Sequence, residues 1–232
     1  MTSKTRIISL GVLAALCAVA FAAQDALTLK YTPKVGDTFK YKLSATMDFM
    51  GTAVDIEGTV TDKVTAVADN GDYTVESAHT DQKGKAGEQD LQIPDDTSTT
   101  KYKSTGEIID IQASQSDPDQ YRLANMTNFI YPTKPVKVGD EWSSTVTADS
   151  TTHAVPATCS YKVVATEKVG SHDTVKIHTI YKESEGSSPA SSEGDVWLDV
   201  KDGQLVKGEN AWTNAPLMGQ AINGKVKMER QD

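Results

Sequence analysis

Lys34-Val35-Gly36-Asp37-Thr38-Phe39-Lys40-Tyr41-Lys42-Leu43-Ser44-Ala45-Thr46-Met47-Asp48-Phe49 decides the fold. Within it, Phe39, Tyr41, Leu43, Ala45, Met47 and Phe49 alternate with polar neighbours. Period two is the pattern of a β-strand with one face buried and one face wet. The four residues that open the stretch return as Lys137-Val138-Gly139-Asp140, again ahead of an aromatic-led strand at Glu141-Trp142.

The signals around each copy follow in the same order. After the first, Val54, Ile56, Gly58, Val60, Asp62, Val64 and Ala66 define a longer strand. Asp62 interrupts its apolar face and predicts a bend or bulge nearby. Asn70-Gly71 supplies a hairpin turn, and Tyr73 to Thr80 return from it. After the second copy, Ala157, Cys159, Tyr161, Val163 and Ala165 share one face, Val169-Gly170-Ser171 turn, and Val175, Ile177, Thr179 and Tyr181 return. Polar stretches follow in both, Gln82 to Ser98 and Glu183 to Gly194, and both read as mobile loops. Closing hairpins fall at Thr105-Gly106 and Asp202-Gly203, and Ile222, Gly224, Val226 and Met228 form a last strand.

The expected fold is therefore mainly β. It is an antiparallel meander from two repeats of about 100 residues. These form a curved sheet, half-barrel or barrel-like sandwich, with one short helix between the repeats. Repeat one spans about 30–115 and repeat two about 133–232, with the helix at about 117–131. Ser116 or Asp117 can cap that helix, Pro118 suits its first turn, and Pro132 and Pro135 end it. Leu123, Met126 and Ile130 fall on one side, so the helix reads as a plug that completes the core, with a gate over a cavity as the alternative.

Residues 1–22 read as a secretory signal peptide ahead of a single β domain at 23–232. Lys4 and Arg6 precede an apolar run from Ile7 to Val19, and Ala20-Phe21-Ala22 supplies small residues at the cleavage positions. The run is short for a membrane span. Cys17 sits inside it, after Leu16 and before further apolar residues, so an ordinary position in the run is the better reading than a lipid-anchored cysteine. The chain is thus expected to be exported, periplasmic or extracellular, with no integral membrane segment after cleavage. Losing Lys4 and Arg6 takes the formal charge from −9 to −11. Such an acidic surface repels phosphate backbones and anionic headgroups, which excludes nucleic acid as a partner. Cys159 is then the one remaining cysteine, so no internal disulfide can form and the fold rests on its core.

Catalytic signatures are missing. His79, His153, His172 and His178 show no metal-ligand spacing, and no C-x-x-C is present. Cys159 alternates with Ala157, Tyr161 and Val163, which marks a buried structural thiol rather than a nucleophile. There is no G-x-S-x-G, and no pair among the many carboxylates stands out. The chain reads as a non-enzyme with no metal and no cofactor. Candidate ligand contacts are Trp197, Trp212, Met126 and Ile130. Trp197 alternates with Asp195 and Asp199, so one face of its strand looks away from the main core or into a cavity; Trp212 precedes an apparent loop at Thr213-Asn214-Ala215-Pro216.

An exported acidic chain with V-G-D-x-aromatic openings, long meander strands and Trp197-Leu198-Asp199-Val200-Lys201-Asp202-Gly203-Gln204-Leu205 resembles the uncharacterised exported β-rich envelope proteins of bacteria. It is more distantly similar to lipoprotein-carrier-type half-barrels. That resemblance implies a curved sheet wrapping an apolar groove plugged by a helix. The carriers' gating arginine has no identifiable counterpart, so no functional residue is carried over. The expected function is a non-catalytic envelope protein that binds an apolar small molecule, lipid or partner protein within the curved sheet. The alternative is a structural or interaction module without a cavity, and a secreted hydrolase ranks last.

Overall fold

The computed structural model describes residues 26–113, 117 and 119–232. The signal-peptide reading, Cys17, and the helix-start roles of Ser116 and Pro118 lie outside the described residues. Twelve strands and one helix follow one another as β1 (Thr38–Phe49), β2 (Thr52–Val67), β3 (Tyr73–Ala86), β4 (Gln89–Gln92), β5 (Asp96–Tyr102), β6 (Ile108–Ala113), α1 (Gln120–Thr127), β7 (Glu141–Val146), β8 (Ala157–Val169), β9 (His172–Glu183), β10 (Ser191–Asp199), β11 (Leu205–Leu217) and β12 (Gln220–Gln231).

All strands belong to one antiparallel sheet, ordered β6-β5-β3-β2-β1-β12-β11-β10-β9-β8-β7, with β4 folded back on β3. The chain starts in the middle of this sheet and meanders to the β6 edge. It then crosses by way of α1 to the β7 edge and meanders back to lie beside its own start. β6 and β7 are not paired, so the sheet is not closed into a barrel.

The crossing shows how strongly the sheet curves. Tyr131 donates its backbone N–H to Thr105 O at 2.9 Å and its hydroxyl to Gly203 O at 2.9 Å. Those turns are six strand positions apart in the sheet order, about 29 Å if the sheet were flat. One tyrosine reaches both only because the sheet bends round it. The concave side carries the apolar alternation: Tyr41, Ala45 and Met47 of β1, Val60 and Val64 of β2, Cys159, Tyr161 and Val163 of β8, Val175 and Ile177 of β9, and Ile222 of β12 are buried.

The two Val-Gly-Asp turns are built alike. In the first, Asp37 Oδ2 accepts the Lys34 N–H at 2.8 Å, and Gly36 and Val64 exchange backbone bonds with one another's strand ends through Gly36 N–Val64 O and Val64 N–Asp37 O, both 2.9 Å. In the second, Asp140 Oδ2 accepts from Lys137 at 3.0 Å, Gly139 N reaches Val163 O at 2.9 Å, and Val163 N reaches Asp140 O at 3.0 Å. A register shift follows each valine, at Val64/Ala66 and at Val163/Ala165. The motif is a hook that starts one strand and anchors the next.

Several expectations need correction. Much of the two polar stretches is paired strand: β3 runs on to Ala86, β4 returns over it, and β9 reaches Glu183 before β10 begins at Ser191. Pairing overrides composition there, with Gly84 placed beneath Leu91 and Ile93. Trp212 to Pro216 is not a loop; β11 continues to Leu217 through a bulge in which Asn214 takes φ 53°. The bulge expected near Asp62 is present: register shifts fall on either side of it, at Glu57/Thr59 and Val64/Ala66, while Asp62 itself pairs with Ser77. Only Gly71, not Asn70, takes positive φ in its turn. The helix is shorter than expected. Asp119 rather than Ser116 or Asp117 is its N-cap, and it stops at Thr127 because Asn128 turns extended. Ile130 therefore lies in the strap beyond the helix.

The N-terminal strap seats closely on Gly203, while Gly36 sits in the open. Gly203 takes φ 77°, and a Cβ there would stand 2.3 Å from Lys30 O. Gly36 takes φ 94° in open space. Gly36→Ala should therefore cost only the left-handed strain of about 1–2 kcal/mol, whereas Gly203→Ala should cost about 3 kcal/mol or more because backbone must also move. Urea unfolding of both variants checks this, and equal losses would refute the strap's tight seating.

Candidate functional site

Between the concave face and the strap lies a cavity of about 260 Å³. Its walls come from both halves of the sheet and from the straps: Tyr31, Tyr41, Tyr73, Tyr102, Tyr131 and Trp212 are among them. The rings pack on one another. Tyr31 meets Tyr73 edge-on at 5.3 Å between centroids, and Tyr73 stacks on Tyr102 at 5.1 Å. Strand alternation puts one carboxylate among them, because Asp62 follows Val60 and precedes Val64 on the inner face of β2.

Asp62 has one hydrogen-bond donor in place, the Ser77 hydroxyl 2.6 Å from Oδ1. Desolvation raises its pKa, and the Ser77 bond and the more distant His79 offset that only in part. Burial likewise pushes the tyrosines up, Tyr102 to about 12, with Asp62 adding to the shift. Two further polar atoms are buried without a hydrogen-bond partner on residues of this wall, Tyr31 Oη and Trp212 Nε1. Buried polar groups are ordinarily paired, so Tyr31 Oη, Trp212 Nε1 and the singly bonded Asp62 give this aromatic wall a polar component.

The helix is fastened over the other half. Arg122 reaches from α1 to the end of β9, where Nε and Nη2 make a bidentate pair with Glu183 at 2.8 and 2.7 Å. The Glu183 side chain is fully buried, and Ala190 N–H also donates to it at 2.7 Å. Asp119 takes Nη1 at 2.9 Å, and Glu183 above all raises the Arg122 pKa. Sequence reading placed Glu183 in a polar loop and gave Arg122 no role. A carboxylate at the end of an alternating strand, in phase with Tyr181, was the signal available.

Of the residues singled out from the sequence, Trp212 lines the cavity. Met126 and Ile130 are buried in the main core with Cys159 and Tyr161. Trp197 lies on the convex side, its ring covered by Lys176 Nζ at 4.7 Å and Lys207 Nζ at 4.4 Å, with Nε1 donating to Glu167 at 2.5 Å. Cys159 is buried, and desolvation raises its thiol pKa. His79 stands 3.4 Å from Asp96 and His178 3.0 Å from Asp195, neither beside the thiol. His172 joins two acids, with Nδ1 2.6 Å from Asp199 and Nε2 2.8 Å from Asp232. Among the described residues no group of three or more His, Cys, Asp or Glu is placed to hold a metal ion, and no helix is long and apolar enough to cross a membrane.

No protein-family model matches the chain, and no curated protein does. Solved structures are similar in layout. An exported-protein candidate of YmcC-like fold from Bacteroides fragilis is 11% identical, over 88% of this chain and 100% of its own, with a TM-score of 0.38. The hypothetical lipoprotein YmcC of Escherichia coli is 12% identical over 90% of this chain and 92% of that one, TM-score 0.27. A DUF1329 family protein from Desulfovibrio piger is 11% identical over 86% and 85%, TM-score 0.23. The first two are described as the kind of exported or lipid-linked protein that the chain's layout resembles. At these scores the likeness carries no argument about activity.

Two outcomes test the site's electrostatics. Arg122→Met strands a buried carboxylate and should cost about 3–5 kcal/mol, while Arg122→Met with Glu183→Leu should cost markedly less than the two single losses combined. Additive losses in urea unfolding would refute the buried pair. Asp232 and then Asp199 raise the His172 pKa, so its stabilisation is complete below about pH 6.5 and fades as pH rises through the raised value. The melting temperature of His172→Gln should therefore approach that of the parent on the alkaline side, and parallel profiles from pH 5 to 9 would refute the link.

Proposed function

We propose that this chain is an exported, non-catalytic envelope protein that holds a small, largely apolar molecule in the cavity between the concave sheet and the strap. Residues 1–22 act as the export signal, and 23–232 remain as one β domain. The observation that carries the reading is the aromatic cavity of about 260 Å³ with two unpartnered polar atoms in its wall. Ligand sites are concave, mostly apolar and carry a few polar groups that set orientation. The volume limits the guest to a small molecule or the end of a larger one.

The surroundings of the thiol and the histidines among the described residues support the non-catalytic part. The thiol is buried among apolar neighbours, and the histidines each face a carboxylate or solvent rather than a nucleophile. A structural or interaction module is the competing reading, and it predicts that the cavity takes nothing. The neutral dye N-phenyl-1-naphthylamine separates the two. Its fluorescence should rise on binding the purified chain and fall at least about tenfold in affinity when Val75→Phe fills the wall. Organic extracts of the purified chain, read by mass spectrometry, should contain a stoichiometric small molecule. A dye that ignores Val75→Phe, together with an empty extract, would overturn the ligand reading.

A further inference from the structure

The cavity's electrostatics narrow the chemistry of its guest, given the ligand reading above. Asp62 Oδ1 accepts from Ser77, and no hydrogen bond or ion pair to Oδ2 is found among the described residues. Among the described residues no lysine or arginine pairs with Asp62. The nearest guanidinium on this side of the sheet, Arg230, is already engaged: it lies 4.6 Å over the Phe39 ring and 3.1 Å from Asp202. Phe39 is itself part of the cavity wall. At the rim, then, the fold holds a cation between a ring face and a carboxylate. Further along the wall it repeats the ring faces and the carboxylate, and there His79, at a distance, is the cationic neighbour of Asp62.

Ring faces carry negative charge density, and a desolvated cation over them gains up to about 2 kcal/mol. Asp62 is half-buried with a single donor, and a partly desolvated carboxylate gains from a cation placed beside it. Both features favour positive charge at the same point. We propose that the cavity is a site for a small organic cation, an ammonium nitrogen on an apolar body. The nitrogen is set against Asp62 between the faces of Tyr31, Tyr73 and Tyr102, and the body lies toward Trp212 and Leu198. The acidic chain, at −9 overall, attracts such a guest and repels anionic ones. Ser77 acts as a positioning residue, fixing the carboxylate rotamer from the neighbouring strand.

The test uses a matched pair of probes, phenyltrimethylammonium and its neutral isostere tert-butylbenzene, titrated into the purified chain and followed by backbone amide NMR. The cation is expected to bind at least tenfold more tightly than the isostere and to shift amides of β2, β3 and β5. Asp62→Asn should remove that preference and leave the affinity for tert-butylbenzene unchanged. Amide spectra and thermal unfolding of Asp62→Asn report that it folds; should it not fold, the ratio of the two affinities in the parent chain decides alone. Equal binding of both probes, untouched by Asp62→Asn, would overturn the cation inference and leave the apolar-ligand reading standing. Binding of neither probe, with an empty extract, would remove both.

Discussion

β1 and β12 pair in continuous register from Lys40–Gln231 to Asp48–Asn223. That seam brings the beginning and end of the β domain together in the middle of the sheet, and the rest of the architecture follows from it. Each half then grows outward from the centre and ends on a free edge, β6 on one side and β7 on the other. The chain must cross from one edge to the other once. The crossing segment bonds turns of both halves, Tyr131 reaching Thr105 and Gly203, and the sheet curls round it. The curl creates a concave face, and that face can bury its apolar residues only against the crossing segment and the N-terminal strap. Leu27 and Val136 bond to one another across these two straps, with backbone distances of 2.7 and 2.8 Å.

With Cys159 free, the stability of the described residues rests on burial. Hydrophobic gain grows with apolar area removed from water, roughly 25 cal/mol per Å², and the inner faces of β8 and β9 supply residues with almost no exposure, Val163, Val175 and Ile177. The Arg122–Glu183 pair does different work. Buried ion pairs are weak sources of net stability because desolvation offsets much of the attraction. Here the bidentate geometry ties one face of α1 to the end of β9 and, through Ala190, to the loop between β9 and β10. It sets where the helix lies more than how strongly it is held. The free edge receives similar treatment on the other side, where the Tyr121 hydroxyl accepts the Ile111 N–H of β6 at 2.9 Å and bonds Asp110. An exposed strand edge is a hazard for intermolecular pairing, and a helix tyrosine covers part of it.

The strands were legible because period two is a direct image of a two-faced sheet. Phe39 to Phe49 and Ala157 to Ala165 show their buried faces letter by letter, and the two Lys-Val-Gly-Asp turns announce where strands begin. What stayed hidden depended on distance in the chain. Glu183 reads as a polar residue beside a serine-rich loop, and only Arg122, sixty-one positions earlier, makes its burial tolerable. Asp62 is visible as a break in an apolar face, and the strand does bulge on either side of it, at Glu57/Thr59 and Val64/Ala66; its place in the cavity wall is the part that strand parity does not reveal. Trp197 and Trp212 could not be told apart, since strand parity says which residues share a face and not which face is concave. Trp197 shelters under two lysine stems on the outside, a use of long cationic side chains as cover that composition alone does not reveal.

The position of the cavity follows from an asymmetry between the halves. There is one helix for a sheet with two concave halves, and it lies over β9, β10 and β11, where Met126 and the Phe129, Trp142 and Tyr161 rings fill the space. The other half is covered by the N-terminal strap and the crossing strap, and beside Val60 and Val64 its inner residues include Tyr31, Tyr41, Tyr73 and Tyr102. Tyrosine is a costly core filler, since its hydroxyl must find a partner or lose one. The hydroxylated rings around Asp62 are the feature on which the proposed binding chamber rests, and a filled core would have no use for them.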